Sequence, residues 1–101
     1  MNELIRKNEQ YKKAMHPIKR IAKFHLNFEG IHPFVDGNGR TGRLILNFDL
    51  IQNGYPPINV KFTDRKKYYQ DFDSYYRYGD SGEMVGLIAG YVDEQIGRAH
   101  V

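Results

Sequence analysis

From position 17 onward, apolar side chains recur at three- and four-residue intervals. Ile18, Ile21, Ala22, His25 and Phe28 share one face of a 3.6-residue repeat, which predicts an amphipathic helix. Pro17 suits its first turn, where a backbone N–H has no intrahelical partner, and Gly30 is a natural stop. A second apolar run, Leu44-Ile45-Leu46-Asn47-Phe48-Asp49-Leu50-Ile51, reads as a largely buried helix. Asn53-Gly54 should end it, and Pro56-Pro57 forbid its continuation. Ile58, Val60 and Phe62 alternate with Asn59 and Lys61, so this stretch is extended, yet too short to build a sheet alone. Thr63 or Asp64 can cap a third helix carrying Tyr68, Phe72 and Tyr76 on one stripe, with Gly79 at its end. Ser81 can cap a fourth, with Met84, Leu87, Ile88, Tyr91 and Val92 facing inward. The predicted fold class is all-α: a small helical bundle with one glycine-rich loop between its two central helices.

Composition narrows the setting. At 101 residues the chain fits one small domain, and 41% hydrophobic with 27% charged residues excludes intrinsic disorder. No run approaches the roughly 18 apolar residues that span a bilayer, and the start of the chain, Met1–Lys13, lacks the apolar core of a signal peptide. Zero cysteines exclude a disulfide framework and thiolate metal sites, and a cytoplasmic location is expected. Net charge is +3, and Arg6, Lys7, Lys12, Lys13, Lys19, Arg20 and Lys23 crowd the first quarter of the chain. These cations interleave with apolar residues at helical spacing, which favours a solvated helix face over a nucleic-acid footprint. Neither membrane nor nucleic acid is an expected partner.

The chemistry concentrates in His32-Pro33-Phe34-Val35-Asp36-Gly37-Asn38-Gly39-Arg40-Thr41-Gly42-Arg43, a segment too rich in glycine to read as regular structure. Glycines let consecutive backbone N–H groups turn toward one point and form an anion nest. The helix that follows aims its unpaired N–H groups and its dipole at the same point. Arg40 and Arg43 add guanidinium forks that match phosphate oxygens. Three features thus converge on a polyphosphate. Phosphate would repel Asp36 unless a cation lay between them, and magnesium is typically held by one or two carboxylates plus substrate phosphates. Pro33 biases His32 away from helical geometry and toward the loop, where an imidazole titrating near neutrality suits a general base for an attacking hydroxyl. Phe34 reads as a core anchor. DGNG alone is commonly a tight turn or part of a calcium loop, but Leu44–Leu46 offers no bidentate acid, and no Gly-Lys-Ser/Thr makes a Walker loop. His25 lies on the apolar stripe and reads as a core histidine. Tyr68, Tyr69, Tyr75, Tyr76 and Tyr78 read as helix packing and surface rather than a stacking platform.

The segment His32–Arg43 resembles the Fic signature, H-x-F-x-D/E-G-N-G-R-x-x-R, at every fixed position. Its flanks are similar too: Met15-His16-Pro17, Phe28-Glu29-Gly30-Ile31 and Gly54-Tyr55-Pro56-Pro57-Ile58. The resemblance runs from about Met1 to Gln95, which sets the expected domain at 1–95. It implies an all-α Fic fold and transfer of AMP from ATP to a Ser, Thr or Tyr hydroxyl of a target protein. It also implies His32 as base, Asp36 as holder of magnesium, Gly37, Asn38 and Gly39 as the phosphate cradle, and Arg40 and Arg43 on the triphosphate.

The family's β-hairpin flap and its inhibitory helix, S/T-x-x-x-E-G/N, have no counterpart in the sequence. Glu29-Gly30 is the nearest match, but His25 stands where the hydroxyl is required. An inhibitory partner or upstream inhibitory helix is therefore expected elsewhere, and the chain is expected to bind nucleotide without full target docking. Ile96-Gly97-Arg98-Ala99-His100-Val101 is what ATCGGAAGAGCACACGTC encodes, a string resembling a common sequencing adapter; residues 96–101 are expected to lie outside the domain. Two alternatives stay open: transfer of another phosphate-containing group, and a non-catalytic nucleotide-binding or interaction module.

Overall fold

A computed structural model describes residues 4–6, 16–31 and 38–99. Residues 4–6 are helical, and the rest form α1 (Pro17–Ile31), α2 (Asn38–Gln52), a 3-10 turn (Phe62–Asp64), α3 (Arg65–Tyr78) and α4 (Gly82–Ala99). The bundle is all-α, as the periodicity predicts. No helix among the described residues is long and apolar enough to cross a membrane.

Helix α1 is the middle of the bundle and packs on α2, α3 and α4. His16 starts it by accepting the Ile18 N–H on Nδ1 at 3.2 Å. The whole predicted stripe from Ile18 to Phe28 is buried, and so is Leu26, which lies off that stripe. Three surrounding helices widen the buried arc beyond what one amphipathic face requires. Arg20 departs from the expected solvated basic face. It is 2% exposed and forms a bidentate pair with Asp49 of α2, both contacts at 2.9 Å.

Helix α2 corrects two expectations. It begins at Asn38, so half of the glycine-rich segment is helical rather than irregular. Gly42 explains why a glycine is kept inside a helix, where it costs roughly 1 kcal/mol relative to alanine. An ideal Cβ there would lie 2.0 Å from Glu29 Oε1 and 3.4 Å from the Phe28 ring, so its absence lets α1 and α2 approach. The second correction is burial. Leu46 and Leu50 are buried, but Leu44, Phe48 and Ile51 are 66%, 65% and 54% exposed. Among the described helices, α2 packs only on α1, so one stripe of its apolar surface suffices for the core.

Gly54, at φ 83°, ends α2 as predicted, with the Tyr55 N–H on the Leu50 carbonyl at 2.9 Å. The following segment is extended without joining a strand. Asn47 of α2 takes the place of a neighbouring strand: its Oδ1 accepts the Ile58 N–H at 2.8 Å and its Nδ2 donates to the Ile58 carbonyl at 2.9 Å. Ile58 turns inward, whereas Phe62 turns out into the 3-10 turn, with the Arg65 guanidinium 5.6 Å from its ring centre. Asp64 occupies the cap position of α3, but its carboxylate accepts the Tyr91 hydroxyl instead of a helix N–H. Gly79 closes α3 at φ 70°. At the start of α4 the capping side chain is Asp80, which accepts the Gly82 N–H at 2.8 Å, rather than Ser81. Met84, Ile88, Tyr91 and Val92 are buried as predicted, with Leu87 half-buried. Helix α4 runs to Ala99, and an added Cβ at Gly97 would meet nothing within 4 Å. A domain boundary near Gln95 stands as a proposal.

Candidate active site

The start of α2 at Asn38 fixes what the glycine-rich segment can do. The first four N–H groups of a helix have no partner within it, and they point out of its N-terminal end. His32, Asp36 and Gly37 lie outside the described residues. Gly39, Arg40 and Arg43 lie in the first two turns of α2, and both arginines are exposed. At a spacing of three they share a helix face. Together they line a cavity of about 220 Å³ with Asn47, Ile58 and Asn59. Arg43 also borders two others. One, of about 270 Å³, adds Arg65, Phe62 and Tyr69. The other, of about 230 Å³, is bounded by Glu29, Gly39, Tyr68, Tyr69, Phe72 and Tyr76. Arg43 thus borders three cavities, and the last has an aromatic wall.

A buried polar layer lies between α1 and α3 beneath that wall. His25 is 2% exposed, and its Nε2 sits 2.6 Å from the Tyr68 hydroxyl. Burial pushes the His25 pKa down to about 4, opposed by the backbone of Gly42 and aided by the charge of Arg43. The ring is therefore neutral near pH 7. Tyr68 is itself buried, and desolvation together with the nearby Glu29 carboxylate drives its phenol well above the usual range, while the charge of Arg43 acts the other way. Tyr76, raised to about 12 mainly by burial and then by the Glu29 charge, donates to the Leu26 carbonyl at 3.0 Å. Tyr75 donates to Asn27 Oδ1 at 2.8 Å.

These contacts refine two readings of the sequence. His25 is a core histidine, as expected from its place on the apolar stripe. The tyrosines of α3 do pack, but three of their hydroxyls tie α3 to α1, and Tyr69 and Tyr76 border the cavity at Gly39 and Arg43. Glu29, Tyr68, Tyr69 and Asn59 are the site residues that sequence reasoning passes over. Glu29 carried a legible signal, because a carboxylate four residues after His25 continues the buried face of α1. The others carried none, since nothing local tells a cavity-lining tyrosine from a surface one. Among the described residues no group of three His, Asp or Glu side chains could hold a metal by itself.

The described residues form an all-α bundle that presents a helix N-terminus, two arginines and an aromatic-walled cavity. The chain belongs to the Fic/DOC family, whose sequence model matches residues 1–50. The protein adenylyltransferases Fic of Drosophila willistoni and Drosophila melanogaster are each 38% identical to it over 89 residues, 88% of this chain. Fic-1 (residues 134–508) from C. elegans superposes with a TM-score of 0.81 at 31% identity over 95% of this chain. The chain spans only 18% of the Drosophila proteins and 30% of the C. elegans structure.

Proposed function

We propose that this domain transfers AMP from ATP to a Ser, Thr or Tyr hydroxyl of a target protein. The observation that carries this reading is the convergence of Arg40, Arg43 and the α2 N-terminus on cavities beside an aromatic wall, within a complete Fic signature. Gly37, Asn38 and Gly39 cradle the phosphates with backbone N–H groups, and Arg40 and Arg43 supply charge-assisted hydrogen bonds. Tyr69 and Tyr76 offer flat faces suited to a purine base. Asp36 is the residue that would hold magnesium with the phosphates, and the ion, when bound, neutralises charge on the leaving group.

In the reaction His32 accepts the proton of the target hydroxyl, whose oxygen forms a bond to the α-phosphorus. The bond from that phosphorus to the α,β-bridging oxygen breaks, and pyrophosphate leaves with the electron pair. The protein does little covalent work, so placement and electrostatics carry the rate. Removing a general base typically costs 10²–10⁴ in rate. The test is incorporation of labelled AMP into lysate proteins by wild type and His32→Ala. The reading expects transfer by wild type and a near-complete loss in the variant, with ATP affinity held within a few-fold. Wild-type transfer by His32→Ala would refute the base assignment. Tight ATP binding with no transfer by wild type would favour a non-catalytic nucleotide module.

A further inference from the structure

We propose that the cavity bounded by Arg43, Phe62 and Arg65 docks an acidic side chain of the target protein, beside the hydroxyl that receives AMP. This rests on the AMP-transfer reading and names the kind of segment it acts on. The first sign is Phe62. Alternation with Ile58 and Val60 predicts an inward ring, yet it is 82% exposed. Its turn is pinned to α4 and presents the ring outward. The Lys61 N–H donates to the Tyr91 hydroxyl at 3.0 Å, Lys61 Nζ pairs with Glu94 at 3.0 Å, and the Asp64 N–H donates to the Lys61 carbonyl at 2.9 Å. A phenylalanine fixed in water contributes little to the core. Beside it Tyr69 is 55% exposed, and Arg65 completes the group. Aromatic side chains and arginine are the residue types that carry most of the binding energy at protein interfaces.

Charge selects the occupant. Helix α3 opens with Arg65, Lys66 and Lys67 and has no acid in its first turn, an arrangement the helix dipole disfavours. Lys67 is matched by Asp71, and Lys61 by Glu94. Arg65 differs: among the described residues no carboxylate pairs with it, and neighbouring Asp64 accepts the Tyr91 hydroxyl instead. Its guanidinium lies 5.6 Å from the Phe62 ring centre, a cation–π contact that steadies the side chain. The N–H fork is left for an acceptor. The cavity, of about 270 Å³, is shared with Arg43, and none of the described residues that line it is acidic. With Lys61 and Lys67 engaged and Arg43 committed to the triphosphate, the site offers one fork for one carboxylate, not a basic track for a phosphate chain. Because Arg43 also borders the cavity with Arg40, a side chain docked here belongs to a residue close to the hydroxyl that meets the α-phosphorus.

The test uses the 101-residue chain and two synthetic peptides, one with a serine flanked by aspartates and one with asparagines in their place. Fluorescence anisotropy at low ionic strength should show the acidic peptide binding about 3- to 10-fold more tightly, an advantage that shrinks as salt is raised. Arg65→Ala should remove the advantage, Arg65→Glu should reverse it, and Phe62→Ala should weaken both peptides. Both positions are exposed, so the variants fold. Calorimetry of Arg65→Ala should give a MgATP affinity within about twofold of wild type. A loss of MgATP affinity equal to the loss of peptide affinity would place the cavity in the nucleotide site and overturn the proposal. Equal binding of the two peptides by wild type, or binding of neither, overturns it as well. Labelled-AMP transfer to the same peptides separates this inference from the reading it rests on. Preferred labelling of the acidic peptide, abolished in Arg65→Ala, supports both. An acidic peptide that binds but accepts no AMP refutes the transfer reading and leaves the acidic docking site standing.

Discussion

Among the polar contacts that join α1 to its neighbours, Arg20–Asp49 and His25–Tyr68 differ in what lies beside them. Arg20 and Asp49 form a bidentate pair linking α1 to α2, with Asn53 Nδ2 also donating to Asp49. His25 and Tyr68 link α1 to α3, and Tyr68 lines two of the three cavities that Arg43 borders. The first contact spends its hydrogen bonds inside the fold. The second lies against cavities beside the Fic signature. Burial alone does not separate the two, since Arg20 and His25 are equally inaccessible at 2%. What separates them is whether the contact borders a cavity of the candidate site.

The comparison is broken most severely by opening the Arg20–Asp49 pair. Arg20→Ala leaves the Asp49 carboxylate half-buried without its fork, a change that typically costs about 3–5 kcal/mol. Chemical denaturation should show a loss of that order, while ATP affinity of the remaining folded protein stays unchanged. A loss confined to ATP affinity would erase the distinction. Next comes the acid response of the His25–Tyr68 pair. With its folded pKa near 4, below the ordinary 6.5, His25 leaves the folded chain holding fewer protons than the unfolded chain between those values. Its stabilising contribution is complete above about pH 6.5 and falls as pH drops toward 4, by about 3 kcal/mol in all. Denaturation midpoints at pH 7 and pH 4.5 should converge with those of His25→Leu/Tyr68→Phe in acid; equal pH slopes for both proteins would contradict the assignment. A smaller effect is expected at the contact between α1 and α2. Gly42→Ala gains helix propensity but must displace the Glu29 carboxylate, for a net cost of about 1–2 kcal/mol that Glu29→Ala should relieve. Melting of the two single variants and the double variant measures this coupling. Smallest of all, Leu44→Gln on the outer face of α2 should change stability by no more than about 0.5 kcal/mol, read by the same denaturation.

Much of the fold is legible in the spacing of apolar residues. The stripe from Ile18 to Phe28 is buried as read, and Gly54 and Gly79 adopt the positive φ that ends their helices. The errors share a cause. Glycine content suggested irregular backbone at Asn38–Arg43, but the glycines there answer to a neighbour: Gly42 is small because Glu29 packs against it. Likewise the run Leu44–Ile51 implied burial on all sides, whereas α2 lies at the edge of the bundle and α1 covers one stripe. Tertiary contacts decide both, and no local pattern encodes them. At the candidate site, Arg40 and Arg43 are the residues the sequence singles out, because fork-shaped cations beside a helix start suit phosphate, and the structure places both on cavities there. Tyr68 and Asn47 are not singled out, because their roles depend on elements distant in the chain.

The α2 N-terminus with Arg40 and Arg43 as a triphosphate site is tested most directly by titration calorimetry of MgATP into wild type and Arg43→Ala. Loss of a charge-assisted hydrogen bond corresponds to about 10- to 100-fold weaker binding. The account predicts a Kd increase in that range for the variant, and a comparable weakening of wild type when magnesium is withheld. An Arg43→Ala protein that is folded and binds MgATP with the wild-type Kd would contradict it.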